Sequence, residues 1–284
     1  MSLPKISFLG CGRLGKTLAK LWYKNLVFQI QDILTQTYNS AVDARNFIGS
    51  GRPVKSYKDI VSSDWFCIAT NDIQISNIVK KIKKFNFIKG KKIIHFSGCL
   101  SSYVLNPLKK MNCEIASLHP ALSFSQPEFA YYQFPGTYCT VEGDLSLVLR
   151  IREIIEKIGG KFLHINAQDK PAYHTACCFS SNFIYSLMQY SISILINIGF
   201  SKKKAKNLSV SILSKSLDSL KKTNKILLTG PINRGDINII KKHIKTLKNT
   251  IWSKPYRMLS LEIIHYASIQ RKKKKNIINL LKKF

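Results

Sequence analysis

The chain has 284 residues, of which 45 are Lys or Arg and 15 are Asp or Glu, giving a formal charge of +30, and 45% of its residues are hydrophobic. That content marks a globular chain with room for one large domain or two modest ones. One Lys before a short strand, with no long apolar run anywhere, argues against a signal peptide and a transmembrane helix, so a soluble cytoplasmic protein without a membrane span is expected. The seven cysteines are odd in number, scattered and mostly inside apolar runs, which suits buried reduced thiols, and no second pair stands near Cys177 and Cys178 to complete a zinc site. No metal is expected. The charge suits nucleic acid, an anionic membrane surface or acidic small molecules. Abundant Lys, Asn, Ile and Phe are also what an AT-rich coding sequence produces without any functional demand. The excess lies mainly after residue 165, with 23 basic against 4 acidic residues there and 22 against 11 before it, and it is densest in RKKKK at 271–275.

In chain order, Lys5–Leu9 reads as a strand, followed by Gly10, Cys11, Gly12, Arg13, Leu14 and Gly15 and then by apolar residues at helical spacing over Arg13–Tyr23. This is a dinucleotide-binding fingerprint in its context: Gly10 permits the tight turn, Gly12 lets backbone approach a pyrophosphate, and Gly15 lets the helix pack on the strand. The free N–H groups of the helix start then favour an anion. Further strands are expected at Asp32–Thr37, Trp65–Thr70, Lys92–Phe96, Glu114–Ser117, Tyr138–Val141 and Lys161–His164. Helices are expected at Ser40–Ile48, Ile73–Phe85, Leu100–Lys110 and Leu145–Ile158, the last closed by Gly159-Gly160. This alternation predicts an α/β domain on a parallel sheet over 1–165. Over 166–284 strand signals nearly vanish, and helices at Ala167–Ile198, Ser201–Lys221, Asp236–Asn249 and Tyr256–Arg271 predict an all-helical C-terminal domain. The segment 229–236 is rich in turn residues.

Ligands gather at the strand ends of such a sheet. The second strand ends in Thr35-Gln36-Thr37 without the carboxylate that holds a ribose 2′-hydroxyl, and Asp32 sits at the strand's start. NADP is therefore favoured over NAD, with Thr35, Gln36, Asn39 and Arg45 as phosphate candidates or simply a solvated loop. Thr70 and Asn71 can border the nicotinamide ribose, though Asn71 and Asp72 can equally cap the next helix. Ser97 ends one strand and His119 the next, and His95 and His119 can each be core residues. In the helical part His174, Cys178, Ser181 and Asn182 fall near one stripe, placing an imidazole and an amide on one face. His174 can supply the proton that carbonyl reduction needs, and Asn182 can orient the substrate. A buried polar pair that serves helix packing is the plainer alternative. Arg234 offers a donor fork for a carboxylate, or pairs locally with Asp236.

The segments GCGRLG, the Ser-Gly at 97–98, SLHP at 117–120, YHTACCFSSN at 173–182 and LTGPINRGD at 228–236 with His243 together resemble the Rossmann-like proteins that carry a helical C-terminal domain of unknown function. That family includes an alternative type of ketopantoate reductase, and its fold is similar to pyrroline-carboxylate reductases. The resemblance runs from about residue 5 to 265 and leaves the tail from Arg271 outside. It implies a Rossmann-type nucleotide-binding domain, NADPH as cofactor and a small 2-oxo acid, 2-dehydropantoate first, as substrate. It also implies that His174 stands where relatives carry a catalytic Lys and Asn182 near their substrate-orienting Asn. The end of the second strand lacks the Arg many relatives have there. A homodimer is expected through the helical domain. The alternatives are an enzyme of the same fold acting on another oxo acid or an imine, and a non-catalytic nucleotide-sensing or nucleic-acid-binding protein. No recognisable nucleic-acid motif supports the latter, and the Ile- and Leu-interleaved tail at 271–284 can form an amphipathic helix for a subunit or membrane surface.

Overall fold

A computed structural model describes residues 2–222 and 228–282 of the chain. Two compact units divide after Ser180, Met1–Ser180 and Ser181–Phe284. The helix that opens the segment expected to be wholly helical is thus counted with the sheet.

The first unit is built on one eight-stranded sheet. Its elements are β1 (Lys5–Leu9), α1 (Arg13–Lys24), β2 (Gln29–Leu34), α2 (Tyr38–Ile48), β3 (Arg52–Val54), β4 (Trp65–Ile68), α3 (Asp72–Ile82), β5 (Lys92–His95), β6 (Glu114–Pro120), α4 (Pro127–Gln133), β7 (Tyr138–Gly143), α5 (Leu145–Lys157), β8 (Lys161–His164) and α6 (Lys170–Ser180). The strand order is β3-β2-β1-β4-β5-β6-β7-β8. Every neighbouring pair is parallel except β6 and β7. Strand order reverses between β1 and β4, the switch point where ligands bind in sheets of this kind. Two apolar layers cover the faces. Leu18, Leu21 and Trp22 of α1 pack with Phe28, Trp65 and Ile151 on one, and Ile75, Val79 and Ile82 of α3 pack with Phe66, Ile93 and Leu105 on the other. β1, β4 and β5 are buried on both faces, so they read as continuous apolar runs.

Several boundaries differ from the sequence reading, each for a physical reason. β2 begins three residues earlier than expected, and this moves Asp32 from the strand's start to its interior. Fully buried there, its Oδ1 accepts from Arg52 Nε at 2.8 Å and its Oδ2 accepts from the Val61 amide at 2.8 Å. Asp32 therefore ties β2 to β3 and to the loop before β4. The helix expected at Leu100–Lys110 is a 3₁₀ segment, Ser102–Met111, because Pro107 removes a donor inside it. The short elements β3 and α4 had no periodic signal. β7 and β8 reverse the direction expected of an all-parallel sheet. All seven cysteines are free thiols, and Cys11, Cys67, Cys113 and Cys139 are buried.

The second unit contains α7 (Asn182–Asn197), α8 (Lys202–Lys222), α9 (Pro231–Arg234), α10 (Ile237–Thr246), α11 (Ser253–Tyr266) and α12 (Arg271–Lys282). Its core joins Ile232, Ile240, Ile264, Ile277 and Leu281. Ile277 and Leu281 belong to α12, and Arg257 Nη1 donates to the carbonyls of Leu280 and Leu281 at 3.0 and 3.1 Å, so that basic helix spends its apolar stripe inside its own unit. Ile278 and Leu280 of the same helix stay half-buried. Among the described residues no helix is long and apolar enough to cross a membrane.

Candidate active site

The glycine turn after β1 has the form its sequence demands. Gly10 has φ +83°, and a Cβ there would stand 2.2 Å from Thr70 Cγ2 and 2.9 Å from the Ala69 carbonyl oxygen. Its amide donates to the Leu34 carbonyl at 2.7 Å, which sets the turn against the end of β2. Gly15 faces Ala69 Cβ at 3.1 Å, the close helix-to-strand approach expected of the third glycine. Nothing lies within 4 Å of the Cβ position of Gly12, which is the N-cap of α1 and brings no side-chain bond to the helix start. The first turn of α1 holds no acid. A phosphate fits these open amides on geometry and charge together. Arg13 is exposed at the first helical position, Leu14 packs partly on the core, and burial pushes the Cys11 thiol up to about 12, so Cys11 serves packing with its side chain.

The other expected cofactor residues are committed to local structure at the same sheet edge. Thr35 Oγ1 donates to the Thr37 carbonyl at 2.7 Å, and Thr37 caps α2. Asn71 Oδ1 accepts from the Gln74 amide and caps α3. Thr70 Oγ1 donates weakly to the Asn71 carbonyl at 3.3 Å. Ser97 Oγ donates to Asp72 Oδ2 at 2.7 Å and accepts from the amides of Cys99 and Leu100, which ties the turn after β5 to the start of α3.

At the ends of β5 and β6 stands a cluster around Gly98. A Cβ on Gly98 would lie 2.5 Å from His174 Cδ2 and 2.9 Å from His119 Nε2, so only glycine lets both imidazoles close over this turn. The two rings meet edge to face with centroids 5.8 Å apart. His119 Nδ1 lies 2.9 Å from the Tyr173 hydroxyl. Burial, with the charges of Lys170 and His174, pulls His119 down to about 4, so its ring is neutral at pH 7. His174 is partly exposed. Beneath them His95 is fully buried, its Nδ1 accepting from the Ser97 amide at 3.2 Å and its Nε2 3.2 Å from the Ser101 carbonyl; burial and Lys170 lower it to about 3.

Sequence reading missed Lys170, the first residue of α6. It is fully buried, and its Nζ donates to the Ser97 carbonyl at 2.9 Å and to Ser117 Oγ at 2.7 Å. Burial lowers it to about 8 against the opposing pull of Glu142, Asp72 and Cys99. One lysine among so many gives no sequence signal of burial. Tyr173, inside the YHTACCFSSN motif, is the partner of His119.

The helical stripe expected over 174–182 is not continuous. Ser181, at φ −129° and ψ −71°, interrupts the helix between α6 and α7, so His174 and Asn182 lie on different helices. Asn182 is the exposed first residue of α7, and its Oδ1 accepts from Ser181 Oγ at 2.9 Å. Arg234 is exposed at the end of α9, and its Nε donates to Asp236 Oδ2 at 2.9 Å. His243 Nδ1 lies 2.9 Å from the Tyr256 hydroxyl.

Residues 137–263 match the family model described as a domain of unknown function, DUF2520. No curated protein matches the chain. Among solved structures, a Bacteroides fragilis protein provisionally assigned as an NADP oxidoreductase is 16% identical, with a TM-score of 0.74 over 93% of this chain and 99% of that one. A Thermotoga maritima protein is 23% identical, with a TM-score of 0.68 over 97% and 98% of the two chains. The 1-pyrroline-5-carboxylate reductase of Streptococcus pyogenes is 14% identical, with a TM-score of 0.64 over 98% of this chain and all of its own. At these identities the likeness fixes the fold: a Rossmann-like domain on a mostly parallel sheet, followed by a helical C-terminal region.

Proposed function

We propose that this protein is an NADPH-dependent reductase of a small carbonyl or imine acid, with 2-dehydropantoate as the substrate of first choice. The observation that carries this reading is the shared edge of one parallel sheet. The open glycine cradle after β1 and the His119–Tyr173–His174 cluster after β5 and β6 both stand at strand C-termini there. The solved proteins of similar fold named as an NADP oxidoreductase and a pyrroline-carboxylate reductase support the reaction class and leave the substrate open. Missing acid at the end of β2 favours the 2′-phosphate of NADPH.

Bound at the cradle, NADPH would supply a hydride. The chain's own part begins with the amides of Gly12, Arg13 and Leu14, which would hold the pyrophosphate. His174, the partly exposed imidazole of the cluster, donates the proton to the oxygen or nitrogen being reduced. His119, neutral and bonded to Tyr173, keeps that ring in place. Asn182 orients the substrate, a role the sequence resemblance implies, and Arg234 binds its carboxylate through its planar donor fork. A homodimer is part of the same reading.

The test is NADPH oxidation by purified protein with 2-dehydropantoate, other 2-oxo acids and cyclic imine acids in parallel, and with NADH as the comparison cofactor. His174→Ala is expected to lower kcat by about 10²-fold or more while NADPH binding stays nearly intact. Full turnover in that variant removes His174 from the mechanism; NADPH binding without turnover on any of these substrates removes the substrate class.

A further inference from the structure

We propose that Lys170 is the positioning residue of this site: its ammonium ties the Ser97 carbonyl after β5 to the Ser117 hydroxyl in β6 and so fixes the platform on which Gly98 carries His119 and His174. This proposal rests on the cluster being a reaction site.

Geometry carries it first. β5 and β6 are neighbouring parallel strands with His95 in register with Ser117. Their ladder ends at that pair and leaves a gap in the pairing, where β5 gives way to the turn Phe96-Ser97-Gly98 and β6 continues to Pro120. Lys170 Nζ bridges the gap at 2.9 and 2.7 Å, and Ser117 Oγ also lies 3.4 Å from the Ser97 carbonyl, closing a three-membered hydrogen-bonded ring. Gly98 follows Ser97 directly, and His119 follows Ser117 by two residues on the same face of β6. Lys170 is also one helical turn before His174 on α6. A single ammonium thereby fixes all three elements that meet at the imidazoles.

Energetics carry it second. A fully buried ammonium costs several kcal/mol in desolvation, and apolar replacements of buried charges are often neutral or stabilising. Packing alone gives no reason for a lysine here. Electrostatics agree with the geometry. The groups that act on Lys170 are Glu142 on β7, Asp72 on α3 and Cys99 after β5. Those that face His119 are Lys170, His174 and Tyr173. Burial and the positive charge beneath it together oppose protonation of His119.

The experiment combines histidine NMR titration with steady-state kinetics on the full chain, in wild type, Lys170→Met and Ser117→Ala, with His119→Gln to assign the resonance. Wild-type His119 is expected to titrate near pH 4. In Lys170→Met its midpoint moves upward, kcat falls by about tenfold or more and NADPH affinity holds. A lysine that is only structural would change the melting temperature and leave both the midpoint and kcat per folded molecule where they were, and that result overturns the proposal. If Lys170→Met does not fold, Ser117→Ala decides. It keeps the charge and removes one anchor, so kcat is expected to fall several-fold with the His119 midpoint unmoved, and unchanged kcat overturns the tie. The titration needs no substrate. If no oxo acid or imine is turned over, the functional reading fails while an unmoved or raised midpoint still decides the lysine's role.

Discussion

Acid should destabilise this protein well above the carboxylate range, and His95 is the main cause. Its ordinary pKa of 6.5 falls to about 3 in the fold, because the ring is buried under Ser97 with Lys170 nearby. Between those values the unfolded chain binds a proton that the folded chain refuses, so stability is fully present above pH 6.5 and is lost as pH falls toward 3. Each pH unit below 6.5 costs about 1.4 kcal/mol for such a group, which gives about 2 kcal/mol at pH 5. His119, lowered to about 4 but less deeply buried, adds at most a comparable amount. The total, between about 2 and about 4 kcal/mol, is a large share of the stability of an ordinary domain. Urea unfolding of the wild type and of His95→Gln at pH 7, 6 and 5 measures it. The substitution should lower stability at pH 7 and flatten the slope below pH 6.5. A wild-type midpoint that stays level from pH 6.5 to pH 5, or an unchanged slope in the variant, refutes the reasoning.

Two glycines separate folding from function. Gly10→Ala must place a Cβ against the Ala69 carbonyl in a left-handed backbone conformation, and a loss of about 1–3 kcal/mol from strain is expected together with loss of NADPH binding, read by thermal melts with and without cofactor. Gly98→Ala meets side chains, His174 and His119, which can move; it should leave the melting temperature within a few degrees and lower kcat, and unaltered kcat would show that the two rings need not close over this turn.

The parts of the fold legible in the sequence were those whose pattern is local. β1, the glycine turn and α1 lie where the apolar run and the spacing of Gly10, Gly12 and Gly15 put them. β8 and the Gly159 cap of α5 were also readable, the latter because Gly159 takes φ +79° where few other residues would. β3 and α4 were hidden because elements of three and seven residues are too short to show a period. Asp32 was misplaced because an acid inside a strand looks like a strand boundary until Arg52 is known to reach it. The reversal of β7 was invisible because pairing direction leaves no mark on a single strand's composition. At the candidate site, the nearness of His119 and His174 depends on Gly98, a residue that carries no chemistry of its own. Lys170 was lost among 45 basic residues. The break at Ser181 was hidden because Ser180-Ser181-Asn182 sits between two good helices and helical periodicity continues across it.

The two outer strands of the sheet bear on how the protein survives at high concentration. β3 is three residues long and has a proline at its centre, and β8 is four residues long and opens on a lysine. Neither offers the long, flat row of amides and carbonyls on which a neighbouring molecule could add a strand, and like charge on so basic a chain further discourages the approach. Growth of the sheet from one molecule into the next is thereby blocked at both ends, and protection against fibre formation is built into the same sheet that carries the glycine cradle.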